Sequence, residues 1–152
     1  MISEQLKNFL KKQKSRIVVY PNDLFEQRVQ EEMIRADEYK SFFVYVELDF
    51  AAIRKNLFKD QEEKFWDAFF KSLASKGRGS DVLGLLEKNS GFGLIMLDSK
   101  MEGWTRLLGR IREFGKNSVN EMDKPLSTIK AFVYPAYIEQ EAGAFPLEKS
   151  AK

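Results

Sequence analysis

Residues 41–48 read SFFVYVEL, a nearly continuous run of aromatic and β-branched side chains. Successive side chains of a strand point to opposite faces of a sheet, so a strand that is apolar at almost every position must be covered on both faces. The run ends in the acidic sequence Glu47-Leu48-Asp49. We therefore predict that residues 41–48 form the central strand of the fold and that carboxylates stand at its carboxyl end.

Helical spacing of apolar residues marks the segments on either side of this strand. Asp23 is a residue type that caps helix N-termini, and it precedes one of these segments. The long segment that follows the strand has a predicted break around residues 59–61. The predicted helices cover residues 1–16, 23–39, 50–74 and 104–114.

The remaining apolar runs are short and are bounded by turn-forming residues. Pro21 stops the first run and Pro135 closes the last, since proline lacks the N–H group that a sheet requires. Residues 87–91, EKNSG, separate two runs in the manner of a β-hairpin. The predicted strands besides the central one cover residues 17–20, 82–86, 92–97 and 128–133. Helices and strands in this order predict an α+β fold with helices packed on a mixed sheet.

The composition limits the chemistry that the chain can carry out. Its 152 residues, 43% of them hydrophobic, suit a single domain over residues 1–152. A net charge of +2 argues against a general nucleic-acid binder. The absence of Cys and His excludes disulfides, thiolate zinc sites and imidazole bases, so carboxylates must supply any acid–base or metal chemistry. No apolar run is long enough for a signal peptide or a membrane span, and we expect a cytoplasmic protein without membrane insertion.

Several sequence strings, taken in order, resemble the GGDEF domain of diguanylate cyclases. The similarity extends from about residue 21 to about residue 150. It implies a nucleotide-cyclase-like three-layer α+β fold with a mixed, mostly antiparallel central sheet flanked by helices. The strings are PNDLFEQRVQEEMIRADEYKSFFVYVELD (21–49), RGSDVLGLL (78–86), FGLIML (92–97), LLGRIREF (107–114) and STIKAFVYPA (127–136).

In active members of this family, two divalent cations are held between the end of the central strand and acidic residues of the hairpin turn. Hard cations of this kind require oxygen ligands. Glu47 and Asp49 could supply ligands from the strand, but Ser90 and Gly91 stand in place of the hairpin acids when Phe92 is aligned with the family's Phe. An alignment without a gap puts Asn89 and Ser90 there instead, so neither alignment restores a carboxylate.

The family's usual guanine contact is also missing. Its Phe-Lys pair and the Asn that follow the central strand correspond to Ala51, Ala52 and Lys55. The resemblance therefore implies a domain without cyclase activity, with no metal and no other cofactor. A residual enzyme that uses Glu47 and Asp49 with one magnesium ion is the least favoured alternative.

A second nucleotide site of the family, the inhibitory site for cyclic di-GMP, is retained in this sequence. It consists of an RxxD motif ahead of the hairpin and an Arg on the following helix, which correspond to Arg78, Asp81 and Arg110. An Arg can bind a phosphate or a guanine edge through two parallel hydrogen bonds, and an Asp can accept hydrogen bonds from guanine N1 and N2. We expect Arg106 and Arg112 to lie on the solvated face of the same helix.

The favoured function is thus a catalytically inactive GGDEF-like domain that acts as a cyclic di-GMP receptor and signals by protein contact. Because the ligand of the family's inhibitory site often crosslinks two domains, a homodimer is expected. The alternative is a nucleotide-independent interaction or dimerisation scaffold, with an exposed apolar patch near residues 65–70 or Trp104. The helical spacing of Phe65, Trp66, Phe69 and Phe70 favours core or interface positions.

The end of the chain departs from the family pattern. The family continues into a further helix and strand, whereas this sequence stops near the point where that helix would begin, with only a weak helical pattern over residues 147–152. We therefore expect a sheet that lacks its last strand or that a partner completes. An unpaired sheet edge favours association.

Overall fold

A computed structural model describes residues 2–13, 17–75 and 81–136 of the chain. One five-stranded sheet organises these residues. Its strands are Val19–Tyr20 (β1), Phe43–Asp49 (β2), Val82–Leu85 (β3), Gly91–Leu97 (β4) and Lys130–Tyr134 (β5). They lie in the order β1-β3-β4-β2-β5, with β1 parallel to β3 and all other neighbours antiparallel. The predicted mixed, mostly antiparallel sheet is confirmed.

Six α-helices connect or flank the strands. They are Glu4–Lys12 (α1), Asn22–Tyr39 (α2), Phe50–Lys55 (α3), Glu62–Ala74 (α4), Met101–Gly115 (α5) and Asp123–Leu126 (α6), and a short 3₁₀ turn, Glu87–Asn89, joins β3 to β4. These helices belong to the described residues; the predicted helical pattern over residues 147–152 lies outside them.

Alternation along β2 divides the core into two layers, one on each face of the sheet. Phe43 and Tyr45 face α2, where they join a cluster with Phe25 and Val29. Val44, Val46 and Leu48 face the opposite layer, which contains α1, α4 and α5 and a group of T-shaped aromatic contacts around Trp66. The three-layer arrangement is confirmed. The prediction that residues 41–48 form the central strand is wrong in detail, because β4 is in the middle of the sheet and β2 is the interior strand between β4 and β5. The apolar run of β2 is explained because both of its faces are buried. Phe65, Trp66, Phe69 and Phe70 are all core residues.

The N-terminal helix is shorter than the predicted 1–16. Ser3 caps it by accepting a hydrogen bond from the Leu6 N–H, and Gln13, which ends it, is already extended. Leu6 and Phe9 are buried against α4. Ser3 Oγ also donates to the Glu62 carboxylate at 2.8 Å, so the helix cap is tied to the start of α4. The remainder of the basic cluster, residues 14–16, lies outside the described residues.

The prediction that Asp23 caps the next helix is wrong. Helix α2 begins one residue earlier, at Asn22, and the extended residue before it is Pro21, whose ring fixes φ near the value that precedes a helix. Asp23 is therefore already inside the first turn, where its carboxylate accepts from the neighbouring Leu24 N–H. Its negative charge there is favourable to the helix dipole.

Two glycines allow α2 to lie directly on the sheet. Gly84 and Gly93 face each other across the β3–β4 ladder, and the Phe25 ring rests on both. A Cβ at Gly84 would lie 2.5 Å from Phe25, and one at Gly93 would collide with the same ring. This close approach requires glycine at both positions and sets the distance between α2 and the sheet.

We expect Gly93→Ala to lower the free energy of unfolding by about 1–3 kcal/mol, the usual cost of overpacking a core. The matched control is Gly109→Ala in α5, where a Cβ meets no atom within 4 Å. That control should stabilise by up to about 1 kcal/mol, since alanine is the better helix former. Urea denaturation of both variants measures the two effects; equal stability of Gly93→Ala and wild type would contradict this packing.

Candidate functional site

A cavity of about 390 Å³ opens on the α2 face of the sheet, at the carboxyl end of β2. Parts of five elements form its wall: the start of α2, the end of β2, the start of α3, the β3–β4 turn and the start of β5. Its charged residues are mostly acidic, with one lysine among them. The lining includes Asn22, Phe25, Glu26, Tyr45, Glu47, Asp49, Ala52, Leu86, Glu87, Ser90, Thr128 and Lys130.

The cavity contains Glu47 and Asp49, as predicted for the strand end. Both residues follow Phe43 and Tyr45 at two-residue intervals, so the same alternation that buries the aromatic rings points these carboxylates to the α2 face. Lys130 lies opposite Glu47 in the β2–β5 ladder. Asn22 donates to the Leu85 carbonyl at 3.1 Å, which joins the start of α2 to the end of β3.

Tyr45 forms the floor of the cavity beside Glu47. Its side chain is 2% exposed, and its hydroxyl donates to Glu47 Oε2 at 2.9 Å. Burial, followed by the negative charge of Glu47, raises the pKa of Tyr45 far above its ordinary value. The phenol is therefore neutral and a hydrogen-bond donor throughout the physiological pH range.

The Asp49 carboxylate serves the adjoining helix. Asp49 is the extended N-cap of α3, and its Oδ1 accepts from the Ala52 N–H at 3.1 Å. An N-cap oxygen satisfies one of the N–H groups that a helix start leaves without a partner. One oxygen of Asp49 is thus committed to the local backbone.

The hairpin turn on the other side of the cavity is held by backbone hydrogen bonds. Leu86 N–H donates to the Gly91 carbonyl at 2.9 Å, and Ser90 Oγ donates to the Glu87 carbonyl at 2.9 Å. Gly91 lies opposite Asp49 in the β2–β4 ladder, and a Cβ on it would collide with the Leu48 carbonyl oxygen. Position 91 therefore has no room for a carboxylate side chain on this backbone.

The turn ends with Ser90 and Gly91 at the positions singled out in the sequence, and Asn89 before them. Of the turn residues only Glu87 is acidic, and it is exposed. Within residues 2–13, 17–75 and 81–136, no three or more Asp, Glu, His or Cys residues are grouped closely enough to hold a metal ion.

Of the predicted inhibitory-site residues, the structure describes Asp81 and Arg110. Arg78 lies outside the described residues. Asp81 directly precedes β3, and Arg110 lies on α5; both are partly buried. Asp81 Oδ1 and Arg110 Nε are each shielded from solvent.

The strand directions show which helix and strand termini lie at the same end of the sheet as Asp81. Strands β2 and β3 are each antiparallel to β4, so they are parallel to each other. Helix α4 lies between the end of β2 and the start of β3 in the chain, and it therefore runs in the opposite direction to both strands. The end of α4 and the start of β3 therefore lie at the same end of the sheet. Arg106, paired with Glu102 at 2.6 Å, and Arg112, paired with Asp123 at 2.6 Å, are exposed on α5 as predicted.

Tyr45 and Lys130 line the cavity although the sequence patterns did not predict them as site residues. The apolar character of residues 41–48 hides Tyr45, but its position two residues before Glu47 puts both side chains on one face. Lys130 is aligned with Glu47 by the pairing of two distant strands, which no local pattern reveals.

The expected apolar patch near residues 65–70 or Trp104 is not found, because these residues are buried in the core. The large apolar side chains that are exposed among the described residues lie elsewhere, mainly on β1 and α2. They are Val18, Tyr20, Leu24, Ile34, Tyr39, Phe58 and Phe114. None of the described helices combines the length and apolarity needed to cross a bilayer.

Comparison with solved structures identifies the fold. A DGC protein from Thermotoga maritima is similar, with a TM-score of 0.53 and 18% sequence identity over 88% of this chain and 91% of that chain. The GGDEF domain of PA1120 (TpbB or YfiN) from Pseudomonas aeruginosa gives a TM-score of 0.52 and 16% identity over 77% of this chain and 72% of that chain. No family model and no curated protein matches the sequence. The chain has the fold of a GGDEF domain, as its sequence strings predicted.

We expect Asp49→Ala to lower the free energy of unfolding by about 1 kcal/mol, because it removes the N-cap of α3. Asp49→Asn keeps a side-chain oxygen that can accept the same hydrogen bond. It should lower the free energy of unfolding by only a few tenths of a kcal/mol, roughly. Thermal and urea denaturation of the pair measure the difference. If both variants were as stable as the wild type, the capping role of Asp49 would be wrong.

Proposed function

We propose that this GGDEF-fold domain does not synthesise cyclic di-GMP but binds it, and that it passes the signal on by protein contact. The ligand would be held at the edge of the sheet by Arg78, Asp81 and Arg110. The observation that supports the proposal is the position of Asp81 directly before β3 and of Arg110 on α5, where both side chains are partly buried.

The missing carboxylates of the hairpin turn support the absence of cyclase activity. Transfer between two nucleotides in this family uses two cations that are held by oxygen ligands from both sides of the site. On one side here, Glu47 accepts from Tyr45 and Asp49 caps α3. On the other, Ser90 is bonded within the turn and Gly91 has no space for a side chain. This donor set does not fit two divalent cations.

The position of Arg110 along α5, compared with that of the end of α4, supports the proposal. Gly115 of α5 lies beside Ala68 of α4, and the two helices run in opposite directions. Arg110 is five residues before Gly115, about 7.5 Å along the axis at 1.5 Å per residue. The last residue of α4, Ala74, is about 9 Å beyond Ala68 on the same scale. Arg110 is therefore level with the last turn of α4, from which the chain proceeds to Arg78 and Asp81.

The chemistry of these three side chains suits a guanine nucleotide with a phosphodiester. Two guanidinium groups can each donate paired hydrogen bonds to phosphate oxygens or to the guanine O6 and N7 atoms. A carboxylate accepts from the opposite guanine edge. A ligand with two guanines can also bridge two copies of the domain, so we expect cyclic di-GMP to promote a homodimer.

A second candidate function is a nucleotide-independent interaction module. It is favoured by the exposed Tyr20 and Leu24, which line one shallow groove between the edge strand β1 and the start of α2. Exposed apolar side chains beside a sheet edge are a common feature of protein interfaces. This candidate predicts partner binding that is indifferent to nucleotide.

The receptor proposal is tested by isothermal titration with cyclic di-GMP. We expect wild-type protein to bind and Arg110→Ala and Arg78→Ala to bind at least tenfold more weakly, since each removes charge-assisted hydrogen bonds. Arg106→Ala on the same helix is the matched control and should bind as wild type does. Sedimentation with and without ligand reports the dimer.

Absence of heat at high micromolar cyclic di-GMP, or undiminished binding by both Arg78→Ala and Arg110→Ala, would reject the receptor function. The interaction module would then be the better description.

The proposed absence of diguanylate cyclase activity is tested separately. The protein is incubated with GTP and Mg²⁺, and the nucleotides are analysed by mass spectrometry. We expect no cyclic di-GMP, because Ser90 and Gly91, at the hairpin positions where the family has its metal-binding acids, carry no carboxylate. Formation of cyclic di-GMP that disappears in Glu47→Gln would show a working catalytic centre and overturn this part of the proposal.

A further inference from the structure

The cavity at the carboxyl end of β2 is negatively charged, and the receptor function does not use it. Four carboxylates and one lysine line this cavity, whereas the whole chain has a net charge of +2. The carboxylates come from three separate elements. They are Glu26 of α2, Glu47 and Asp49 at the end of β2, and Glu87 of the turn before β4.

Basic side chains of the described part of the chain do not neutralise these four carboxylates, since no Lys or Arg there forms an ion pair with any of them. Many carboxylates elsewhere on the surface are paired, as Asp67 is with Lys71 at 2.9 Å. Lys130 faces Glu47 across the β2–β5 ladder without coming within ion-pair distance of it. The cavity therefore attracts cationic groups and repels phosphates.

Two of the carboxylates keep an oxygen for a ligand. Glu47 accepts from Tyr45 through Oε2, and Asp49 accepts from the Ala52 N–H through Oδ1. Glu47 Oε1 and Asp49 Oδ2 have no hydrogen bond among the described residues. Residues two apart on a strand lie about 7 Å from each other on one face. This spacing suits a ligand whose donors are spread over an extended group, and the described residues include no group of three acids that could hold a metal ion.

The apolar part of the lining suits the stem of a long basic side chain. Phe25, Val29 and Leu86 line the same cavity, which has a volume of about 390 Å³. Lys and Arg side chains pack their methylene stems on apolar surface while the charged head contacts polar groups. A guanidinium group is favoured over an ammonium group, because its planar set of donors can contact two carboxylate oxygens at once and is less strongly hydrated. The cavity therefore matches an arginine side chain.

We propose that this cavity is a docking site for a basic segment of a partner protein, with one arginine side chain seated between the apolar wall and the carboxylates of Glu47 and Asp49. Charge complementarity selects this partner, since an acidic segment or a nucleotide phosphate would meet charges of its own sign. The inference goes beyond the receptor function and does not require cyclic di-GMP. It also assigns a surface other than the groove beside β1 to protein contact.

The test is a nuclear magnetic resonance titration of isotope-labelled protein with a short blocked peptide that has arginine at its centre. We expect saturable shifts of the amide signals of cavity residues such as Ala52 and Thr128. The same peptide with citrulline, which has the shape of arginine without its charge, should bind at least about tenfold more weakly, since its hydrogen bonds are no longer charge-assisted. Added salt should weaken the arginine peptide, because exposed charges are screened.

Glu47→Gln and Asp49→Asn each remove one charge and keep an oxygen that can accept the present hydrogen bond. Each should weaken binding of the arginine peptide about threefold or more. The matched control is Glu113→Gln, which removes an exposed carboxylate of α5 that does not line the cavity, and it should bind the peptide as wild type does. Circular dichroism verifies that each variant is folded. Glu26→Gln, at an exposed position of the cavity wall, provides a further removal of charge should the other variants be unstable.

The proposal is overturned if the arginine and citrulline peptides bind equally well, if the shifts lie outside the cavity, or if the charge-removing variants bind as wild type does. It is equally overturned if the arginine peptide gives no saturable shift. Cyclic di-GMP titration of Glu47→Gln separates this site from the receptor site. Undiminished binding of cyclic di-GMP by that variant leaves the receptor function standing whatever the peptide result. A wild type that binds the peptide but no cyclic di-GMP rejects the receptor and keeps the docking site.

Discussion

The contact of the Phe25 ring with two facing glycines is the constraint on which the α2 side of this structure depends. Because Gly84 and Gly93 have no side chains, the first turns of α2 come close enough to cover Tyr45 and to place Asn22 against the end of β3. The same approach forms one wall of the cavity. A side chain at either glycine would push α2 outward, so the packing of the core and the shape of the site have a single physical origin.

Strand β2 shows how one strand can serve both the core and a site. Its interior residues alternate between two buried layers, and the alternation continues unchanged into Glu47 and Asp49 where the cover ends. The polar groups at this end have partners within the chain: Glu47 accepts from the Tyr45 phenol and lies opposite Lys130 in the ladder, and Asp49 accepts from the Ala52 N–H of α3. The hydrogen bond from Tyr45 lowers the cost of partly burying the Glu47 carboxylate. It also makes the strand end a stable part of the fold.

Much of the fold could be predicted from the sequence, because periodicity is a local property. The doubly buried β2, the helices α2 and α5, and the hairpin all follow from the spacing of apolar residues. Local patterns failed at Pro21 and Asp23: Asp23 is a favoured N-cap residue type, but the helix begins directly after Pro21, whose backbone is extended. The predicted N-terminal helix is too long because it includes the whole basic cluster. The helix ends at Lys12, and Gln13 is already extended.

The site was predictable only in part, for a physical reason. Some site residues could be identified because they stand at the ends of strands that the apolar pattern predicts. These residues are Glu47, Asp49, Ser90 and Gly91. The partners that decide their chemistry come from packing: a ring held by Phe25, a lysine brought in by β5, and a carbonyl oxygen of Leu48 that fills the space beside Gly91. No sequence spacing encodes these contacts directly.

The two ends of the sheet can change function independently. Asp81 and the hairpin turn stand at opposite ends of β3, five residues apart, which is about 16 Å at the rise of a strand. Charges at that separation are largely screened when they face solvent, and side chains that share no neighbours contribute additively to stability. The polar groups at the cavity end and Asp81 therefore influence each other little. A strand layer that is buried on both faces separates them, so a substitution at one end of the sheet should leave the surroundings of the other end unchanged.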